Sequence, residues 1–211
     1  ETLQTYLPDY FFLALGLLLF LYMATDGYNL GLGIFSLAAR REDERGLMIH
    51  SIASTWHASQ TWLVILGGLL FGAFPVVYGV AMSALYVPVM LMLAGLAFRG
   101  VAIEFYHESP NRARWGLAFG LGSLVATLAQ GFTLGGLLSG MPVVERQFAG
   151  GYGDWLNPFS ALVAAGGAAG FVLLGTTYLA MKTEGELRER ALKTAVLAAW
   201  AVLAGLAVIL L

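Results

Sequence analysis

The 211-residue sequence contains no cysteine, which excludes disulfides, thiolate metal sites and cysteine nucleophiles. Charge is scarce too: 11% of residues are Asp, Glu, Lys or Arg against 59% hydrophobic, and mean hydropathy is +0.77. A soluble domain cannot hide that much apolar surface in one core. The apolar runs are continuous rather than alternating with polar residues, which excludes barrel strands. A formal net charge of −2 gives no hint of nucleic-acid binding. Glu1-Thr2-Leu3-Gln4 lacks the basic start of a signal peptide, so either a start has been trimmed or the first span is itself the targeting signal. No nucleotide-binding loop, Ser-His-Asp arrangement or paired-carboxylate hydrolase site is present. What is left is an all-α, polytopic transmembrane helix bundle, a single integral-membrane domain over residues 1–211.

Six spans are expected, at about 9–38, 52–74, 77–98, 115–140, 159–181 and 194–211. Each can supply the ~20 residues at 1.5 Å rise that cross a hydrocarbon core of ~30 Å. The last ends at Leu211 without a polar flank, so the chain reads as incomplete at its C-terminus. Lys and Arg set the orientation. Arg40, Arg41, Arg45, Arg99, Arg112, Arg114, Lys182, Arg188, Arg190 and Lys193 fall on one side and only Arg146 on the other. By the positive-inside rule that side is cytoplasmic, and the N-terminus is outside.

Within this frame Asp26 stands out, as the one charge in the apolar run from Tyr10 to Ala39. A carboxylate at membrane depth costs roughly 2.5–3.5 kcal/mol on the insertion scale, so it faces a bundle interior, a water-filled cavity or a partner. Steps of three and four along the first span line up Tyr22, Asp26, Asn29, Gly33 and Ser36 as a polar stripe. The second span, entered from the same side, carries His50, Ser54, His57 and Gln60 or Thr61 at the same spacing. Two polar stripes running inward from the basic side are what a proton or water path requires.

Gly27 with Gly31, Gly116 with Gly120 and Gly166 with Gly170 are four apart, a spacing that lets helices pack closely. His57 admits three readings: a packed residue, a proton-transfer group or an axial haem ligand. His50 and His57 are seven apart, ~10.5 Å along a helix, too far to hold one metal together, and no metal site is expected. Arg99 and Glu104, at the end of the third span, are candidates for an inward ion pair or a solvated interface. The charges around Arg40–Arg45 and Glu184–Arg190 suit solvated loops or helix ends. Trp56, Trp115, Trp155 and Trp200 suit interfacial belts, while Trp62 is deep enough to be a packing or channel residue.

Several strings together resemble one family. They are Thr25-Asp26-Gly27-Tyr28-Asn29-Leu30-Gly31-Leu32-Gly33, then Met48, Ser51-Ile52-Ala53, Trp56, Gln60 and Trp62, then Gly67-Gly68-Leu69-Leu70-Phe71-Gly72-Ala73-Phe74-Pro75. Phe98-Arg99-Gly100-Val101-Ala102-Ile103-Glu104-Phe105, Ala149-Gly150-Gly151, Asp154-Trp155-Leu156-Asn157-Pro158-Phe159-Ser160 and Met181-Lys182-Thr183-Glu184-Gly185 follow in family order. The chain resembles subunit 2 of the cytochrome bd-type quinol oxidases, including the cyanide-insensitive branch. The resemblance implies a multi-pass subunit of a complex in the bacterial cytoplasmic (inner) membrane that oxidises quinol and reduces dioxygen to water with protons from the cytoplasm. It implies haem b and haem d in a haem-binding subunit 1, with none held here, contact with lipid and quinol, possible quinone binding and a possible small third subunit. Proton conduction would fall on Asp26, and Trp62, with Trp56 and Gln60 nearby, would lie by an oxygen route.

Three positions depart from the family. Asn29 and His57 stand where members carry acids, so a path here would use Asp26 with His57, Asn29 orienting water. Tyr106 replaces a basic residue that many members have after Phe105. The family has eight spans to the six drawn here. A proton-coupled transporter and a non-catalytic membrane scaffold are the alternatives; a transporter would show internal repeats around a midplane site, and the Asp26 string has no counterpart in the last three spans.

Overall fold

A computed structural model describes residues 2–210, with side chains from residue 6. Its helices are α1 (Thr2–Ser36), α2 (Glu42–Ile52), α3 (Trp56–Ala73), α4 (Pro75–Ala84), α5 (Tyr86–Glu108), α6 (Arg112–Leu138), α7 (Pro158–Lys182) and α8 (Gly185–Leu210). The strands β1 (Val143–Val144) and β2 (Gln147–Phe148) form an antiparallel hairpin between α6 and α7. Among the described residues five helices are long and apolar enough to cross a membrane, and α3 with α4 forms a sixth, bent candidate. The short connections α5–α6 and α7–α8 lie at the arginine-rich end with the α1–α2 loop.

Expectation and structure part company between residues 42 and 98. Two uninterrupted spans are expected at 52–74 and 77–98, but the chain forms the short helix α2, then α3 and α4 as one sharply bent candidate span, then α5. The axis turns by 120° between α3 and α4. Phe74, at φ −132° and ψ 61°, leaves the helical region, and Pro75 starts α4 at its first turn, where its missing N–H costs nothing. Hydropathy cannot register this bend, because α4 is as apolar as the spans it joins. The third crossing element, α5, runs on to Glu108, ten residues past the predicted end.

Packing is densest in the arginine-rich half. There Leu32 and Phe35 of α1, Met48, Ile49 and Ile52 of α2, Trp56, Ile103, Tyr106, Phe119 and Leu179 form one buried cluster. A second, deeper cluster joins Leu30, Met92, Leu96, Ala126 and Phe171. Glycine sets the closest crossings: a side chain at Gly31 would run into the Phe171 carbonyl, and one at Gly175 into the backbone at Gly31–Leu32. Gly166 and Gly170, by contrast, have open space beside them, so their spacing marks no packed crossing among the described residues.

The arginine-rich end is closed by α2 lying across the bundle. Glu44, buried on its inner side, accepts from the Arg40 amide at 3.1 Å and from Arg190 of α8 at 2.8 Å. Arg190 also donates to the Ala38 carbonyl at 2.7 Å, tying α8 to the end of α1. Burial pushes the Glu44 carboxyl up, but the Arg40 amide and the Arg190 guanidinium outweigh it and hold the group below its ordinary value. Tyr178 donates to the Ser51 carbonyl at 3.0 Å, and Tyr106 to Glu42 at 2.8 Å. At the opposite end Glu145 and Arg146 both have positive φ, 49° and 64°, the pair of left-handed residues a tight hairpin turn needs. The Asn157 side chain caps α7 by accepting from the Ser160 amide at 2.8 Å.

Candidate functional site: a buried ion pair among four helices

Asp26 sits ten residues from the end of α1, about 15 Å along the axis and so near mid-depth of a ~30 Å hydrocarbon layer. The predicted stripe does face inward: Tyr22, Asp26, Asn29 and Ser36 are all buried. Its partner is Arg99 of α5. Arg99 Nη2 donates to Asp26 Oδ1 at 2.8 Å and to Oδ2 at 3.1 Å, and both side chains have 0% exposure. Each charge offsets the other, which is how a membrane interior tolerates them. Asn29 Nδ2 lies 3.3 Å from Asp26 Oδ1, 3.2 Å from Ser59 Oγ of α3 and 3.2 Å from the Thr25 carbonyl. One turn deeper, Gln130 of α6 donates to the Tyr22 hydroxyl at 2.6 Å. The polar centre therefore draws on α1, α3, α5 and α6.

The hydrogen bonds do not use up its polar atoms. Arg99 Nε and Nη1, Asn29 Oδ1 and Thr127 Oγ1 are buried without a hydrogen-bond partner among the described residues. A buried guanidinium with free N–H donors is a place where ordered water bonds favourably.

Sequence reasoning missed Arg99 as the partner of Asp26 because the third span was ended at residue 98, which put the arginine at the interface. With α5 running to Glu108, Arg99 lies about 13 Å inside the helix end. The signal that could have found it is charge matching: Asp26 and Arg99 are each the lone charge within a long apolar run. Of the two readings left open for Arg99 and Glu104, Arg99 takes the inward ion pair, with Asp26 as its partner, and Glu104 the exposed position. Five residues apart on a helix, the two point about 140° away from each other, and Glu104 stands outside.

His57 also lies elsewhere than expected. The helix is interrupted between Ile52 and Trp56, so His50 and His57 do not share one continuous face. His50, Ser54, His57 and Thr61 are exposed, while Trp56 and Ser59 form the inner face of α3. His57 Nε2 is 3.6 Å from Glu104 Oε1, with side-chain exposures of 73% and 63%. It does not reach Asp26. The residue that meets the Asp26 stripe from α3 is Ser59, whose hydroxyl lies 3.2 Å from the Thr25 carbonyl and 3.0 Å from the Thr55 carbonyl.

Trp56 and Gln60 line a groove of about 480 Å³ between α3 and α5, with Glu104 and Phe105 toward the arginine-rich end. Gln60 Nε2 is buried there without a partner among the described residues. Trp62 is half-buried on α3 and does not line this groove. The phenol of Tyr106 turns to Glu42 of α2, so this position serves the closure of the arginine-rich end.

These features define a multi-pass helical membrane protein whose spans converge on a buried Asp–Arg pair. The chain belongs to the family described as cytochrome bd terminal oxidase subunit II, whose sequence model matches residues 7–211. It is 37% identical over 196 residues to cytochrome bd-I ubiquinol oxidase subunit 2 of Escherichia coli (strain K12), covering 89% of this chain and 52% of that protein. To the probable cytochrome oxidase subunit 2 of Haemophilus influenzae (strain Rd) it is 33% identical over 179 residues, 81% of this chain and 47% of that one. The chain thus spans about half the length of these relatives. Its fold is similar to that of a chain in the bd oxidase of Geobacillus thermodenitrificans, with a TM-score of 0.71 at 22% identity, covering 95% of this chain and 66% of that chain.

Proposed function

We propose that this chain is the haem-free partner subunit of a respiratory quinol:oxygen oxidoreductase of the cytochrome bd type, seated in the bacterial cytoplasmic membrane. The observation that carries the reading is the family match over residues 7–211. In the complex, quinol is oxidised, dioxygen is reduced to water, and protons are drawn from the arginine-rich side. The residues of this chain do not suit a haem within the bundle: all three histidines, His50, His57 and His107, are exposed toward the arginine-rich end, which leaves no interior imidazole for an iron. Haem b and haem d are therefore given to a haem-binding subunit 1, which this chain completes, with a small third subunit, quinol and lipid as further partners.

Within that reading the Asp26–Arg99 pair fixes α1 against α5, and any proton exchange at Asp26 requires the pair to open. Asn29 and Ser59 hold the carboxylate side, and the free edge of Arg99 supplies donors to water. His57 and Glu104 are a second titratable pair, separate from the first and open to a partner.

The test is expression of the haem-binding subunit with and without this chain. Quinol-driven oxygen uptake is expected only when both are present, with a bd-type reduced-minus-oxidised spectrum in the joint preparation. Stoichiometric haem on this chain purified alone overturns the haem-free assignment.

A further inference from the structure

A second groove, of about 340 Å³, runs between α5 and α6 on the outer surface of the bundle. Gly95 and Gly122 form part of its floor, and a Cβ on Gly95 would lie 2.8 Å from the Gly122 carbonyl oxygen. The backbones meet there with no side chains to fill the seam. Phe98, Leu121 and Val125 stand along the rims and are exposed. One lining residue is charged: Arg114, at the arginine-rich end.

Arg114 and its neighbour Arg112 are exposed, and neither forms an ion pair among the described residues. Glu108, at the end of α5, pairs with neither of them. The groove reaches from Arg114 to Val125, eleven residues of helix or about 16 Å, close to half of a ~30 Å hydrocarbon layer. An apolar channel one leaflet deep, with an uncompensated guanidinium at its aqueous mouth, matches an acyl chain below a phosphate.

The geometry points to a binding site for an anionic phospholipid of the arginine-rich leaflet, its acyl chain laid in the α5–α6 groove and its phosphate on Arg114. Basic pockets between spans at the cytoplasmic face recognise such headgroups by charge. The site lies apart from the Asp26–Arg99 centre and from the α3–α5 groove. It rests on the membrane-spanning fold and stands whether or not the oxidase reading holds.

The experiment uses the purified complex that contains this chain, stripped in detergent and offered vesicles of phosphatidylglycerol or phosphatidylcholine, with retained lipid counted by native mass spectrometry. Phosphatidylglycerol is expected to be retained in preference. Arg114→Gln should weaken its retention about fivefold, the factor expected for one arginine at an anionic surface, and leave phosphatidylcholine unchanged. Ala94→Phe, at an exposed position lining the groove, should remove bound lipid of both kinds. Equal retention of the two lipids by the unaltered complex, or unchanged phosphatidylglycerol retention in both variants, overturns the site. A photocrosslinker at Leu121 that captures a protein subunit in place of lipid overturns it as well.

Discussion

Arg99 reaches from α5 to α1 and places one guanidinium nitrogen on both carboxylate oxygens of Asp26, at 2.8 and 3.1 Å, with neither side chain exposed. The arrangement makes the two residues one unit. Removing either partner leaves the other charge alone in the bundle, which typically costs about 3–5 kcal/mol. Asp26→Asn and Arg99→Met are each expected to lower the thermal stability of the assembled protein in detergent. The double variant Asp26→Leu/Arg99→Met should recover most of the loss, since an apolar pair of similar volume is often neutral. If the double variant melts no higher than the worse single variant, the pair is not the reason for the loss.

The double variant also separates two roles of Asp26. With the bundle restored, a purely architectural pair leaves quinol-driven oxygen uptake intact. A carboxylate that exchanges protons leaves it low, because leucine carries none. The readout is turnover per assembled haem, so that incomplete assembly is not counted as lost chemistry.

How much of this was open to sequence reasoning differs from element to element. The inward polar stripe on α1 was legible, because α1 is one unbroken helix from Thr2 to Ser36 and its periodicity survives into the structure. The companion stripe on the second span was not, because the count ran across the break between Ile52 and Trp56, where helical periodicity no longer applies, and because spacing alone does not say whether a polar face points inward: His50, Ser54, His57 and Thr61 are all exposed. The bend between α3 and α4 was hidden for a different reason: hydropathy reports burial in lipid or protein, not direction. Arg99 followed from that error, since misplacing the end of α5 moved a buried arginine to the surface.

The α1–α7 crossing depends on the absence of two side chains. A methyl group at Gly31 would run into the Phe171 carbonyl, a backbone atom that cannot turn away. Gly31→Ala should therefore destabilise the bundle by about 1–3 kcal/mol, the range for overpacking, and lower its melting temperature. Gly170→Ala, where nothing lies within 4 Å, is the control and should melt no lower than the parent, since alanine favours helix by up to about 1 kcal/mol over glycine. Equal losses at both positions would mean that helix propensity and lipid contact, not the crossing, govern the response.

His57 and Glu104 should behave unlike the Asp26 centre. Their side chains are 3.6 Å apart and largely exposed, and such pairs add little to stability. Substituting His57 by alanine should leave the melting temperature of this subunit unchanged. Trp56, its neighbour and a member of the main core cluster, should be costly to truncate, at about 3–5 kcal/mol. A His57→Ala effect that appears only in oxygen uptake by the whole complex, with a changed pH profile, would place the pair at a surface the partner subunit uses.

The contact between α2 and α8 carries a pH dependence of defined sign. The folded-state pKa of Glu44 is held below its ordinary value, so the folded protein binds fewer protons at this site than the unfolded chain does. The stabilisation is then fully present above the ordinary carboxyl pKa, about 4.3, and is lost as pH falls through the depressed folded value. Stability measured on descending from neutral pH should drop in that acid window, and Glu44→Gln should remove this part of the drop while lowering stability at neutral pH. Arg190→Met should act differently. It removes a bond to Glu44 and the bond to the Ala38 carbonyl together, so it should also loosen the junction of α8 with α1, seen as faster amide exchange at residues 185–193. Unchanged acid sensitivity in Glu44→Gln would mean that the Glu44–Arg190 contact is not its source.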